Sequence, residues 1–135
     1  MILNLTRHPA TEEQRNAGVV DVADEDQPIL EDLLTFETDG KPGDVPQAGE
    51  IQAAADALAR LAEQYGASAA MIGGAPFLMH PLHVALEEEG VRPVYAFSLR
   101  VSAEEKIPTG GVRKTQDFTH LGFVGLIADS SLQGG

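Results

Sequence analysis

The stretch from Ala67 to Phe97 most narrows what this chain can fold into. Ala67 to Ile72 is a short apolar run, Gly73-Gly74-Ala75-Pro76 interrupts it, and Leu78, Leu82, Ala85 and Leu86 then recur on one helical face. Glu87-Glu88-Glu89 and Gly90 end that stretch, and Val94-Tyr95-Ala96-Phe97 is a second apolar run. Strand, glycine loop, helix and strand within about thirty residues make a βαβ unit, hence parallel strands joined by a right-handed crossover. Pro81 falls inside the helical stretch, where it removes one backbone bond and crowds the preceding turn. A kink there, or a helix beginning after Pro76, is expected.

The rest of the chain extends this pattern. Met1 to Leu5 reads as a first strand that Thr6-Arg7-His8-Pro9 stops. Thr11 then suits a helix N-cap, and Thr11-x-x-Gln14 has capping-box spacing, with Gly18 past the end. Val19 to Val22 is a second strand, and Asp24-Glu25-Asp26 with Pro28 opens a helix through Leu30, Leu33 and Leu34 to about Phe36. Residues 37–46 read as a solvated loop. Residues 48–65 form the clearest helix, with Ile51, Ala54, Ala55, Leu58, Leu61, Ala62 and Tyr65 at three- and four-residue spacing before Gly66.

After Ser98 the pattern changes. Residues 99–107, a Pro-Thr-Gly-Gly turn at 108–111 and residues 112–118 read as a hairpin or a long excursion, and Leu121 to Ile127 as a final strand. The expected fold is α/β, a Rossmann-like and mostly parallel sheet flanked by helices, with a C-terminal hairpin. It occupies residues 1–128 as a single domain, and residues 129–135 form a disordered tail. At 135 residues the chain suits one core.

Charge bears on the choice of ligand. The net charge of −12 argues against long nucleic acid and anionic membrane as partners. Residues 1–91 hold four basic side chains against 17 acidic ones, whereas residues 92–135 hold five against four. A small anionic ligand is therefore expected near the C-terminal third. The chain has no cysteine, hence no thiolate metal site, disulfide or cysteine nucleophile. It shows no run of about 18 apolar residues and no secretory lead-in, so the cytoplasm is the expected compartment.

Three constellations carry chemistry. Gly73, Gly74 and Ala75 lie between a strand and a helix, where backbone N–H groups face an anion and the missing Cβ atoms admit it. No Lys-Ser or Lys-Thr follows, so this is not a Walker loop, and a tight strand-to-helix turn is the plainer alternative. Asn4, Thr6, Arg7 and His8 end the first strand, and the carboxyl ends of parallel strands are where open sheets bind ligands. An ordinary polar loop stands beside that reading. Arg100, Glu104, Glu105, Arg113, Lys114 and His120 form the third group, as charge pairs across a hairpin or as cations folded over a phosphate, and Ser98 before them is a further ligand-binding candidate. His80 and His83 have i, i+3 spacing but read as helix-surface histidines, and no metal site or cofactor is expected.

In order along the chain stand Gly74-Ala75-x-x-Leu78-Met79, Arg92-Pro93-Val94-Tyr95, Arg100-x-x-x-Glu104-Glu105 and Gly111-Val112-Arg113-x-x-x-x-Phe118-x-His120-x-x-Phe123. With the first strand and its His8-Pro9-x-Thr11-Glu12-Glu13-Gln14 loop, this succession resembles the small stand-alone CRISPR-associated Rossmann-fold (CARF-like) proteins regarded as ring nucleases. The likeness covers about residues 1–18 and 67–125. It implies an antiviral-defence hydrolase that degrades cyclic oligoadenylate, the second messenger of type III CRISPR systems, without metal, by attack of a ribose 2′-hydroxyl on the adjacent phosphate. On this resemblance Gly73 and Gly74 cradle phosphate and Arg100 and Arg113 neutralise it. His8 or His120 moves the proton, with Glu105 as the next candidate base. A cyclic tetranucleotide has two-fold symmetry, so a homodimer is implied. A non-catalytic nucleotide sensor and a mobile-element interaction protein without nucleotide are the alternatives.

Overall fold

A computed structural model describes residues 1–106 and 112–125, with side chains described for 1–99 and 120–125. The elements in chain order are β1 (Ile2–Asn4), α1 (Glu12–Asn16), β2 (Val19–Asp21), α2 (Gln27–Leu34), α3 (Ala48–Gln64), β3 (Ala69–Met71), α4 (Pro76–Glu88), β4 (Arg92–Lys106) and β5 (Val112–Gly125). A single 3₁₀ turn at Asp24–Asp26 leads into α2. The five strands form one mixed sheet in the order β2-β1-β3-β4-β5, flanked by helices. Strands β1, β2, β3 and β4 are mutually parallel and β5 is antiparallel to β4.

Alternation along the strands gives the sheet two unequal faces. One carries Leu3 and Ala70 into a core with Leu30, Leu58, Leu82 and Leu86 from α2, α3 and α4. Leu58, Leu82 and Leu86 have no exposed surface, and burying each contributes about 1.5–3 kcal/mol. The other face carries Val19, Ala69, Met71 and Val94 beneath Ala10, and α1 adds no buried residue to it. The helical layer over the first face therefore dominates the packing.

Local rules account for the element ends. The capping box of α1 forms as expected: Thr11 Oγ1 accepts from the Gln14 amide, and Gln14 Oε1 from the Thr11 amide. Helix α3 stops at Gly66, whose φ of +68° suits a residue without Cβ. There the Ala67 amide donates to Ala62 O and the Gly66 amide to Glu63 O, which satisfies carbonyls of the last turn. Tyr65 ties this end to α2. Its hydroxyl donates to the Asp26 carboxylate and accepts from the Ala23 amide at 3.0 Å. The Asp26 bond holds the phenolic proton and raises the Tyr65 pKa. Helix α2 ends at Leu34, two residues earlier than expected, because Thr35 is already extended at φ −107°, ψ 126°. In the loop beyond it, the Asp39 amide and the Thr38 hydroxyl bind Asp44 and hold its carboxyl below the usual range.

The βαβ unit of the sequence is present: β3 and β4 pair in parallel from Ala69↔Arg92 to Met71↔Val94, with α4 between them in the chain. Helix α4 differs from the expectation of a late start. It begins at Pro76, where a missing N–H costs nothing, and continues through Pro81 to Glu88.

The larger correction concerns the C-terminal third. Strand β4 does not stop at Phe97 but runs to Lys106, and β5 joins what read as two pieces into one strand from Val112. They pair from Val94↔Gly125 to Lys106↔Val112, with a bulge where Phe97 faces Gly122 and Ser98 faces His120, leaving Leu121 between. Only Arg92–Val94 of β4 touches β3; the remainder, Tyr95 to Lys106, is a two-stranded ribbon about 40 Å long at about 3.4 Å per residue. The turn expected at 108–111 and the tail at 129–135 lie outside the described residues. Among the described residues, no helix is long and apolar enough to cross a membrane.

Candidate functional site

The strand order locates a crevice. The chain steps from β1 outward to β2, then returns across β1 to β3, so the direction of winding reverses between β1 and β3. Loops on either side of such a point part at the carboxyl ends of the strands. A cavity of about 470 Å³ opens there, between the loop after β1 (Thr6 to Pro9) and the loop after β3 (Gly73 to Ala75). Leu34, Leu78 and Tyr95 form apolar wall, and Thr11 and Gln14 close the α1 side.

The loop after β1 is held from beneath by Asn4, which is 3% exposed. Asn4 Nδ2 donates to His8 O at 2.7 Å and to Asp21 Oδ1 at 2.8 Å. Its Oδ1 accepts from the Thr6 amide at 2.9 Å and the Thr6 hydroxyl at 2.7 Å. Asp21 Oδ1 also accepts from the Ala10 amide at 3.0 Å. An amide side chain offers two donors and an acceptor with two lone pairs, and all are used here. Asn4 thus shapes the loop from below.

Arg7 is also engaged. Its guanidinium donates to Leu34 O at 3.0 Å and to Thr35 Oγ1 at 2.8 Å, capping the C-terminus of α2 while lining the crevice. A cation there also complements the helix dipole. His8 is exposed at the crevice, and its ring nitrogens have no hydrogen-bond partner among the described residues.

On the opposite side the wall is backbone. Among the described residues, the amides of Gly73, Gly74 and Ala75 meet no protein acceptor. Ala75 precedes α4 without a side-chain cap and lines the cavity. Gly74 has φ +128°, a conformation side chains rarely adopt. A Cβ on Gly73 would stand 3.7 Å from Thr6 Cγ2, which shows how closely the two loops approach.

The structure therefore gathers Thr6, Arg7, His8, Gly73, Gly74 and Ala75 around one cavity, with Asn4 under it. Ser98, and His120 of the third constellation, are not among the residues lining it. Ser98 is exposed on β4 and faces His120 in register. His120 stacks edge-to-face on Phe123 at 5.0 Å, and its buried ring nitrogens have no partner among the described residues. Arg100, Glu105, Arg113 and Lys114 lie on the ribbon, with Glu104 facing Lys114 and Glu105 facing Arg113 in register; their side chains are outside the described residues. The Cα of Arg100 is about 20 Å along β4 from Val94. On α4, His83 Nε2 meets Glu87 Oε1 at 2.7 Å, and no group of three metal-ligating side chains occurs among the described residues.

Sequence reasoning missed Gln14, Leu34 and Tyr95 as crevice walls. Tyr95 had a signal, since it follows Val94 at the carboxyl end of the parallel pairing.

Fold and crevice define an α/β domain with a mixed, mostly parallel sheet and a pocket at the carboxyl ends of its strands. The chain belongs to the uncharacterized protein MJ1673 family, whose family model matches residues 1–124. No curated protein and no solved structure matches it.

Proposed function

We propose that the crevice between the β1 and β3 loops binds cyclic oligoadenylate and that the protein is a metal-independent ring nuclease acting in type III CRISPR signalling in the cytoplasm. The observation that carries the binding part is the meeting in one cavity of apolar walls, His8 and the Gly73, Gly74 and Ala75 amides, which have no acceptor among the described residues. Successive backbone amides of a glycine loop suit a phosphate, and Leu34, Leu78 and Tyr95 suit the flat face of a base. The winding reversal between β1 and β3 supports a Rossmann-like reading of the fold. The identity of the ligand rests on the resemblance described above.

In the proposed reaction the ribose 2′-oxygen attacks the adjacent phosphorus in line, forming the P–O2′ bond as the P–O5′ bond breaks. A 2′,3′-cyclic phosphate and a 5′-hydroxyl result; the 2′ proton leaves to a base and the departing O5′ takes a proton. The loops contribute by holding that alignment and stabilising charge on the phosphate. Of the two candidate bases whose side chains are described, His8 and His120, His8 is the one that lines the crevice of its own chain. At about 470 Å³ the cavity takes part of a cyclic tetranucleotide rather than all of it. A homodimer that presents two crevices to one two-fold ring fits that size.

A second reading, a non-catalytic sensor, is favoured by one observation: among the described residues no partner orients the His8 ring. Incubation with cyclic tetra- and hexa-adenylate in EDTA, followed by chromatography, separates the two. Linear products are expected. Intact ligand with a raised Tm favours the sensor, and intact ligand with unchanged Tm overturns both.

A further inference from the structure

We propose that Thr35 is a positioning residue of the crevice: it holds Arg7 as the cation that, with the amides of Gly73, Gly74 and Ala75, takes one phosphate of the ligand. This rests on the reading of the crevice as a phosphate site and deepens it by naming what aims the charge.

Arg7 is the one lysine or arginine among the described residues that line the cavity. Residues 1–91 hold 17 acidic side chains against four basic ones, and Arg7 still pairs with none of the described carboxylates. Arg15 by contrast stands 3.7 Å from Asp21. Both hydrogen bonds that hold Arg7 leave through Nη2, to Leu34 O and to Thr35 Oγ1, and both acceptors are neutral. Its Nε and Nη1 meet no acceptor among the described residues, so their N–H groups remain to be offered. A phosphate oxygen would receive them in charge-assisted bonds, roughly twice as strong as bonds between neutral groups.

Thr35 turns the guanidinium to this use. It is the first residue past α2, and its hydroxyl proton is committed to Glu31 O at 2.8 Å. A hydroxyl has one proton and two lone pairs, so only the lone pairs remain for Arg7. An arginine free in solvent loses rotamer freedom when it binds phosphate, and one already held loses less. The same segment also reaches the opposite wall. Leu34 lines the cavity, and Phe36 stacks edge-to-face at 5.2 Å on Phe77, two residues after Ala75. Residues 34–36 thus tie the cation and the amide loop to one frame.

Calorimetric titration of the full chain with cyclic tetra-adenylate, adenosine 5′-monophosphate and adenosine in EDTA tests this. Arg7→Ala should weaken binding of both phosphates by about tenfold or more, leaving adenosine as it is with the native chain. Thr35→Val should weaken both phosphates by about three- to tenfold with unchanged circular dichroism. Thr35→Ser, which keeps the hydroxyl, should restore them. In the Arg7→Ala background Thr35→Val should change nothing further, whereas a merely structural Thr35 would weaken binding in either background. Phosphate binding that Arg7→Ala leaves unchanged, or a Thr35→Val loss that persists without Arg7, overturns the proposal. A ring that is bound through Arg7 and Thr35 but left intact would remove the nuclease and keep this assignment. A ring that is cleaved, and bound equally by the native and Thr35→Val chains, would do the reverse. A native chain that binds neither phosphate overturns both.

Discussion

The loop after β1 and the loop after β3 meet at the same crevice, with Thr6 3.7 Å from where a Gly73 Cβ would stand, but they are held in place differently. The first is fixed by side chains: Asn4 and Asp21 bind Thr6, His8 O and the Ala10 amide, and Arg7 reaches across to α2. The second offers its backbone outward, and its shape comes from glycine and the start of α4. A wall tied by side chains should fail when those are deleted. A backbone wall should fail when a side chain is added.

Asn4→Ala gives the largest expected effect. It leaves the Thr6 amide without a partner and takes one bond each from Asp21 and His8 O in a part-buried setting, a loss of about 2–3 kcal/mol in urea unfolding. A loss below about 0.5 kcal/mol would break the comparison. Gly74→Ala comes next, at about 1–2 kcal/mol, because φ of +128° strains any side chain although no atom lies within 4 Å of the added Cβ. Arg7→Ala should cost about 1 kcal/mol through loss of the α2 cap, read in the same denaturation series. Thr11→Ala removes one cap from a short helix with no buried residue and should cost about 0.5–1 kcal/mol. Gly73→Ala is the smallest for stability, within about 0.5 kcal/mol, since 3.7 Å is an ordinary contact. Its methyl enters the crevice, so the thermal shift by cyclic tetra-adenylate should vanish while the fold stands.

How much of this was legible in the sequence follows from the kind of signal each element carries. Helix α3 was readable because Ala54, Leu58, Leu61 and Ala62 repeat the helical period and Gly66 stops it. The three-residue strands β1, β2 and β3 were readable as apolar runs between turn residues. The full length of β4 was missed at Ser98, although Phe97, Leu99, Val101 and Ala103 alternate there with polar residues. The apolar run before it had set a buried-strand pattern, and the change to one-sided alternation reads like an end. At the crevice, the two loops could be placed on one side of the sheet from the order of elements. The role of Asn4 could not, because Asp21, which joins Thr6 and His8 as its partner, is brought beside it only by the pairing of β1 with β2.

Strand β4 is shared property: its first residues complete the parallel sheet, and its continuation is one rail of the ribbon. The Ile72 amide donates to Val94 O at 2.9 Å, immediately before the crevice glycines and where the ribbon begins. That single proton is a reporter placed at a junction. Its exchange with deuterated solvent should slow when the crevice fills, although the bond itself lies on the strand that carries the ribbon.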